Sequence, residues 1–109
     1  MLQQTLMSIQ ITKRDGTKEP FNADKINRSI QRATHGLNDP IAKVIQIATE
    51  THLTIYDGIK TTELDEATIN AAVQNIKEDL EYDKIATRLL VKTIYKSAIG
   101  EYDEDNFND

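Results

Sequence analysis

Met7, Ile9 and Ile11 alternate with Ser8, Gln10 and Thr12, the period-two pattern of a half-buried strand. Asp15-Gly16 follows as a turn, because glycine tolerates positive φ and an aspartate can accept from its own backbone two residues on. Thr17–Phe21 reads as a short return strand, and Pro20, which lacks a backbone donor, places it at an edge or ends it there. Residues 7–21 are therefore predicted to form a β-hairpin. The period then changes. Asn22 is a plausible N-cap, Ile26, Ile30 and Ala33 recur at helical spacing, and Gly36 closes the first helix at a C′ position. Asn38-Asp39-Pro40 sets a capping carboxylate before a proline at N1, opening a second helix with Ile41, Val44, Ile45 and Ala48 on its apolar face and an end near His52.

Between Thr54 and Lys60, Ile55, Tyr56 and Ile59 surround the turn signal Asp57-Gly58, which predicts a short third strand. Thr61 or Thr62 can cap a third helix whose first turn carries Glu63, Asp65 and Glu66 and whose buried stripe is Leu64, Ile69, Ala72, Val73 and Ile76. Asp83 is the expected cap of a fourth helix, with Ile85, Ala86, Leu89, Leu90, Thr93 and Ile94 at helical spacing, Lys92 and Lys96 late in it and Gly100 beyond its end. The order ββαα(β)αα predicts an α+β, mostly helical fold: a small helical bundle with one face covered by a hairpin or a three-stranded sheet.

The chain has 109 residues, 39% of them hydrophobic, enough for one core and too few for two. Cysteine is absent, which removes disulfide frameworks, zinc ribbons, iron–sulfur clusters and thiol nucleophiles and makes a cytoplasmic location the expectation. No apolar run is long enough for a membrane span, and Met1–Gln10 lacks the layout of a secretory signal. The net charge of −5 is concentrated at one end: residues 101–109 hold five acids and no base, so residues 1–100 carry thirteen of each sign. Residues 1–100 are expected to form the domain and 101–109 an acidic tail leading towards a missing further domain. Within the balanced body the first third is basic, with Lys13, Arg14, Lys18, Lys25, Arg28 and Arg32 against Asp15, Glu19 and Asp24. Such a local excess suits a small polyanion better than general nucleic-acid binding.

The sequence contains no Walker loop, no G-x-G-x-x-G, no H-E-x-x-H and no G-x-S-x-G. His35 and His52 lie at predicted helix ends without metal-ligand spacing and read as ordinary helix-end residues, so no metal site is expected. The informative stretch is residues 11–26. It puts Lys13 and Arg14 at a strand end, turns through Gly16 and returns to a helix start carrying Lys25, so that several cations converge where the helix also presents free N–H groups. That is a recipe for holding a phosphate chain. Equally, it describes a turn decorated with solvated charge.

Those residues, Ile11-Thr-Lys-Arg-Asp-Gly with Glu19-Pro-Phe and Lys25-Ile26, resemble the opening motif of the ATP-cone, the nucleotide-sensing module of ribonucleotide reductases and of a related transcriptional repressor. Ile55-Tyr-Asp-Gly-Ile-Lys-Thr61 and Tyr82-Asp with Ile85-Ala and Arg88-Leu-Leu are similar to later blocks at the N-terminus of class I reductase large subunits, in the same order. The repressor needs a cysteine-built zinc ribbon, which this chain lacks. The resemblance implies a four-helix bundle capped by a three-stranded β-sheet, binding ATP as activator or dATP as inhibitor, with or without Mg²⁺, at an allosteric site between sheet and helices.

By position in the motif, Lys13 and Arg14 would contact the nucleotide near the turn. Glu19, Asn22, Lys25 and Ile26 would line the site, Thr61 would add a hydroxyl, Ile55 and Asp65 would sit near base and sugar, and Lys96 would reach the phosphates. The implied partners are adenine nucleotides and, in the full enzyme, the reductase catalytic domain and small subunit in a nucleotide-dependent oligomer. The reductase's radical chemistry requires cysteines, so this chain alone would regulate and not catalyse. Two other readings stand beside this one: a helical interaction module that docks a partner through Leu89/Leu90 or the hairpin and binds no nucleotide, and a nucleic-acid binder using the basic first third.

Overall fold

The computed structural model describes residues 9–99, with side chains to residue 96. Met7, Gly100 and the acidic tail lie outside the described residues. Three short strands and four helices follow one another as β1 (Gln10–Thr12), β2 (Lys18–Pro20), α1 (Ala23–Ala33), α2 (Pro40–His52), β3 (Ile59–Lys60), α3 (Thr61–Gln74) and α4 (Glu81–Ile99). This is the expected mostly helical α+β fold, with strands shorter than the sequence pattern suggests.

β1 is the centre of the sheet. It pairs antiparallel with β2, Ile11 opposite Glu19, and parallel with β3, Ile11 beside Ile59. The hairpin turn closes as expected: Asp15 Oδ1 accepts from the Thr17 amide and hydroxyl, and Gly16 takes a φ of 90°. Pro20 lies on the edge strand, where no ladder donor is needed. The parallel strand is fixed by its own turn. Asp57 Oδ1 accepts from the Gln10 amide at 2.8 Å, Gly58 donates to the Gln10 carbonyl, and the Thr12 hydroxyl donates to the Gly58 carbonyl at 2.9 Å. Gly58, at φ 89°, allows this bend. The stretch from Leu53 to Gly58 is thus turn and irregular loop, and only Ile59–Lys60 is strand.

The core beneath the sheet is built around Ile30, Ile47 and Ile85, fully buried on α1, α2 and α4, joined by Ile11, Ile26, Ile59, Leu64, Ala72, Tyr82 and Leu89. Several helical faces are rotated from those the apolar pattern suggests. On α2 the buried residues are Lys43, Ile47, Ala48 and Thr51, while Ile41 and Ile45 are 75% and 60% exposed. On α3 Thr68 and Ala71 replace Val73, and on α4 Tyr82, Ile85, Ala86 and Leu89 are buried while Leu90 and Ile94 are exposed. Ile76 packs against the core from beyond the end of α3.

Lys43 explains the rotation of α2. Only 4% exposed, it carries its ammonium to Asp79 Oδ2 at 3.1 Å and Glu81 Oε1 at 3.4 Å, donates to the Asn38 carbonyl, and lies 5.9 Å from the centre of the Tyr82 ring. Glu81 also accepts from the Asn38 amide at 2.8 Å. A charge can occupy a core-facing position when its partners are built in, and here they tie the α1–α2 loop to the start of α4. Burial alone would push the Lys43 pKa down, but the hydrogen bonds and charges of Asp79 and Glu81 prevail and hold it above the ordinary lysine value.

Helix ends follow local chemistry. Asn22 caps α1 as expected, its Oδ1 accepting from the Asp24 amide. At the other end Thr34 is the C-cap, and Gly36 follows one residue beyond the C′ position, at φ 82°. Asp39 stands before Pro40 but makes no side-chain cap bond; its backbone is left-handed at φ 47°, while its carbonyl accepts the first helical bond from the Lys43 amide. The start of α3 is capped by Glu63, whose Oε1 accepts from the Lys60 amide, and not by Thr61 or Thr62. Asp79, not Asp83, serves α4 by accepting from the Glu81 amide.

Replacing Lys43 with Met removes the charge and leaves two carboxylates without their cation; the expected loss is about 2 kcal/mol, less than for a fully enclosed pair because Asp79 is partly solvated. Urea denaturation at neutral pH measures it.

Candidate functional site

The two strands beside β1 place the first site residues. Directly opposite residues of an antiparallel pair share one face of the sheet, so Glu19 lies on the same inner face as its buried partner Ile11. A half-buried carboxylate at a position that patterning reserves for an apolar side chain marks the space between sheet and helices as more than core. Lys13 follows β1 directly, its amide donating to the Thr17 carbonyl, and Arg14 is exposed in the turn. At the same end of β1, the Thr61 hydroxyl donates to the Thr12 carbonyl at 3.1 Å. The first residue of α3 is thereby held beside Lys13.

One turn further along α3, Asp65 lies on the same side as Thr61 and pairs with Lys96 of α4 at 3.0 Å. Both side chains are largely enclosed, 23% and 14% exposed.

The antiparallel packing of α1 and α4 carries the arrangement to Lys25. Arg88 donates to the Ala33 and His35 carbonyls at 2.9 Å each, closing the C-terminal end of α1. Lys92 donates to the Ser29 hydroxyl at 2.9 Å. Each step of four residues up α4 matches a step of four down α1. One more turn sets Lys96 at the level of Lys25.

The structure thus links Thr61 to Thr12, next to Lys13, and Asp65 to Lys96 at the end of the bundle near the hairpin turn, and the α1–α4 register points Lys25 of α1 towards that end. Ile26 is buried within the core, and Ile55 packs against it half-buried. Asn22 lies at the α1 N-terminus with its Oδ1 already used as a cap. Arg14 is brought near the group only by its link to Lys13. Ser29 and Lys92 also belong to this face, and neither was singled out as a contact from sequence. The signal was present: each is four residues from a site residue, Ser29 after Lys25 and Lys92 before Lys96.

A concavity opens elsewhere, between α1 and α2. It encloses about 600 Å³ and is lined by residues including Asn27, Gln31, Ile41, Val44, Ile45 and His52. It contains none of the expected site residues and no Lys, Arg, Asp or Glu. At its end the His52 ring meets Phe21 edge to face at 5.8 Å.

Residues 9–97 match the ATP cone domain family. The chain is 38% identical over 103 residues to the ribonucleoside-diphosphate reductase subunit alpha of Haemophilus influenzae, covering 94% of this chain and 13% of the relative. It is 39% identical over 97 residues to subunit alpha of reductase 1 of Salmonella typhimurium, covering 88% and 12%, and 33% identical over 101 residues to the large subunit from Caenorhabditis elegans, covering 89% and 12%. The chain therefore spans about an eighth of the length of the curated relatives it matches.

Burial holds the His52 imidazole below the ordinary histidine pKa, so folding favours its neutral form. Above the unfolded value that preference is fully satisfied; as pH falls through it towards the folded value, the unfolded chain binds a proton that the folded chain resists, and stability drops. Thermal denaturation from about pH 7 to about pH 5 should show a shallower decline for His52→Gln than for the parent.

Proposed function

The chain belongs to the ATP-cone domain family, and from that footing we propose that it binds ATP or dATP in the space bounded by the inner face of the sheet, the first turns of α1 and α3, and the late part of α4. The observation that supports the reading is the enclosed Asp65–Lys96 pair together with the α1–α4 contacts Arg88–Ala33 and Lys92–Ser29, a register that, carried one turn further, would bring Lys25 towards Lys96. Lys13, Arg14, Lys25 and Lys96 neutralise the phosphates, with the α1 N-terminus contributing its dipole. Glu19 faces the adenine amino group as an acceptor. Asn22, whose Oδ1 is engaged by its own helix, offers its amide donors to the base edge. Ile26 and Ile55 supply apolar contact to the ring, and the Thr61 hydroxyl and Asp65 lie towards the sugar.

ATP and dATP differ by a single 2′-hydroxyl, so a polar partner there that is satisfied by one ligand and left unpaired by the other separates their affinities. In a full-length reductase large subunit, the consequence is allosteric: the two effectors favour different contacts with the catalytic domain and small subunit, and the coupling equals their differential affinity for those arrangements. Control of deoxyribonucleotide synthesis follows from that coupling. The lack of cysteine in this chain places the radical chemistry in other parts of such an enzyme.

A second reading, an interaction module without a nucleotide, draws support from the exposed Leu90, Val91, Ile94 and Tyr95 along α4. Leu89, the other half of the expected docking pair, is buried and cannot serve it.

Calorimetry separates the two. ATP and dATP should each bind the folded chain, and Lys25→Ala should weaken triphosphate binding by about tenfold to a hundredfold while changing adenosine binding little. Equal losses for both ligands would assign Lys25 a structural role, and no heat at millimolar nucleotide would favour the interaction module.

A further inference from the structure

The ion pair between Asp65 and Lys96 engages the ammonium that the nucleotide reading assigns to a phosphate. Lys96 is 14% exposed, and its Nζ lies 3.0 Å from Asp65 Oδ2. Carried one turn beyond the Lys92–Ser29 contact, the α1–α4 register brings Lys25 of α1 towards the same level. Two lysines approaching across a helix interface repel, and a carboxylate from a third helix offsets that repulsion. Asp65 suits this position geometrically. Its helix is anchored one turn earlier by the Thr61 hydroxyl on β1, which fixes the carboxylate relative to both the sheet and α4.

We infer that Asp65 is a built-in counter-ion for the phosphate site: without ligand it holds Lys96, and the bound phosphate chain displaces it. This rests on the nucleotide reading and adds a regulatory step to it. Binding then costs the Asp65–Lys96 pair, so the carboxylate sets the affinity ceiling of the site without itself touching phosphate. Because the pair joins α3 to α4, the exchange also removes one of the ties between these helices when ligand enters. Occupancy is thereby converted into a change in helix packing. A nucleotide that keeps its phosphates away from Lys96 would leave the tie in place.

The test is a double-mutant cycle read by calorimetry with ATP. Asp65→Asn, nearly isosteric and unable to form the ion pair, should bind ATP roughly threefold to tenfold more tightly than the parent. Lys96→Ala should bind ATP more weakly, and adding Asp65→Asn to Lys96→Ala should bring no gain, because no ammonium remains to release. Asp65→Glu, which keeps a carboxylate within reach, should stay close to the parent. Asp65→Ser carries the same expectation as Asp65→Asn should that variant not fold. Unchanged or weaker ATP binding by the Asn variant, or a gain that persists without Lys96, would overturn the counter-ion role while leaving the nucleotide site intact. A parent chain that takes up neither ATP nor dATP would instead defeat the nucleotide reading itself.

Discussion

Like charges brought together at one end of a helix bundle repel, and this fold accepts that cost in a specific place. Lys92 and Lys96 lie a turn apart on α4, facing an α1 that carries Lys25 and is capped at its far end by Arg88. The register is enforced by polar contacts that each bridge α1 and α4, so it cannot slide by one residue without losing them all. The antiparallel contact therefore does two things. It closes the C-terminal end of α1 with a guanidinium, and it delivers cations to the opposite end, beside the sheet. Asp65 answers part of that charge from α3, and α3 is positioned because Thr61 is bonded to the central strand. Sheet, α3 and α4 are thus linked through a short series of polar contacts at the edge of an otherwise apolar core.

Lys43, the charged side chain buried among the described residues, is placed quite differently. Lys43 sits at the junction of the α1–α2 loop and the start of α4, surrounded by Asp79, Glu81 and the Asn38 carbonyl. Its partners are fixed by local sequence on both sides, and Glu81 is further engaged by the Asn38 amide. That cluster is a clasp with its hydrogen bonds satisfied. Among the described residues the Asp65–Lys96 pair shows no such surround of backbone partners, which is why one cation reads as structure and the other as exchangeable.

Much of this was legible in the sequence, and the failures have a common cause. The hairpin, the order of the seven elements, the Asn22 cap and the edge position of Pro20 follow from local chemistry, and they are as expected. The resemblance in residues 11–26, 55–61 and 82–90 pointed to the neighbourhood proposed as the nucleotide site. What escaped was anything decided by partners distant in sequence. The buried face of α2 was misassigned because Lys43 has carboxylates at and just before the start of α4, leaving Ile41 and Ile45 to border an open groove. Asp39 and Asp83 looked like caps by spacing, but Asp39 adopts a left-handed backbone and Asp79 already satisfies the start of α4. Thr61 gives its hydroxyl to the sheet because the parallel strand brings Thr12 beside it, a pairing no local window contains. Lys92 and Ser29 meet across 63 positions of sequence.

On the proposal made above, adenine nucleotide binds at the hairpin end of the bundle and the α1–α2 groove plays no part in it. Amide chemical-shift mapping of the labelled chain during titration with dATP tests this most directly. The account predicts that the perturbed residues cluster in the Lys13–Thr17 turn, the first turn of α1, Thr61 to Asp65 and the late part of α4. Shifts confined to Gln31, Ile41, Ile45 and His52, or scattered without a focus, would contradict it.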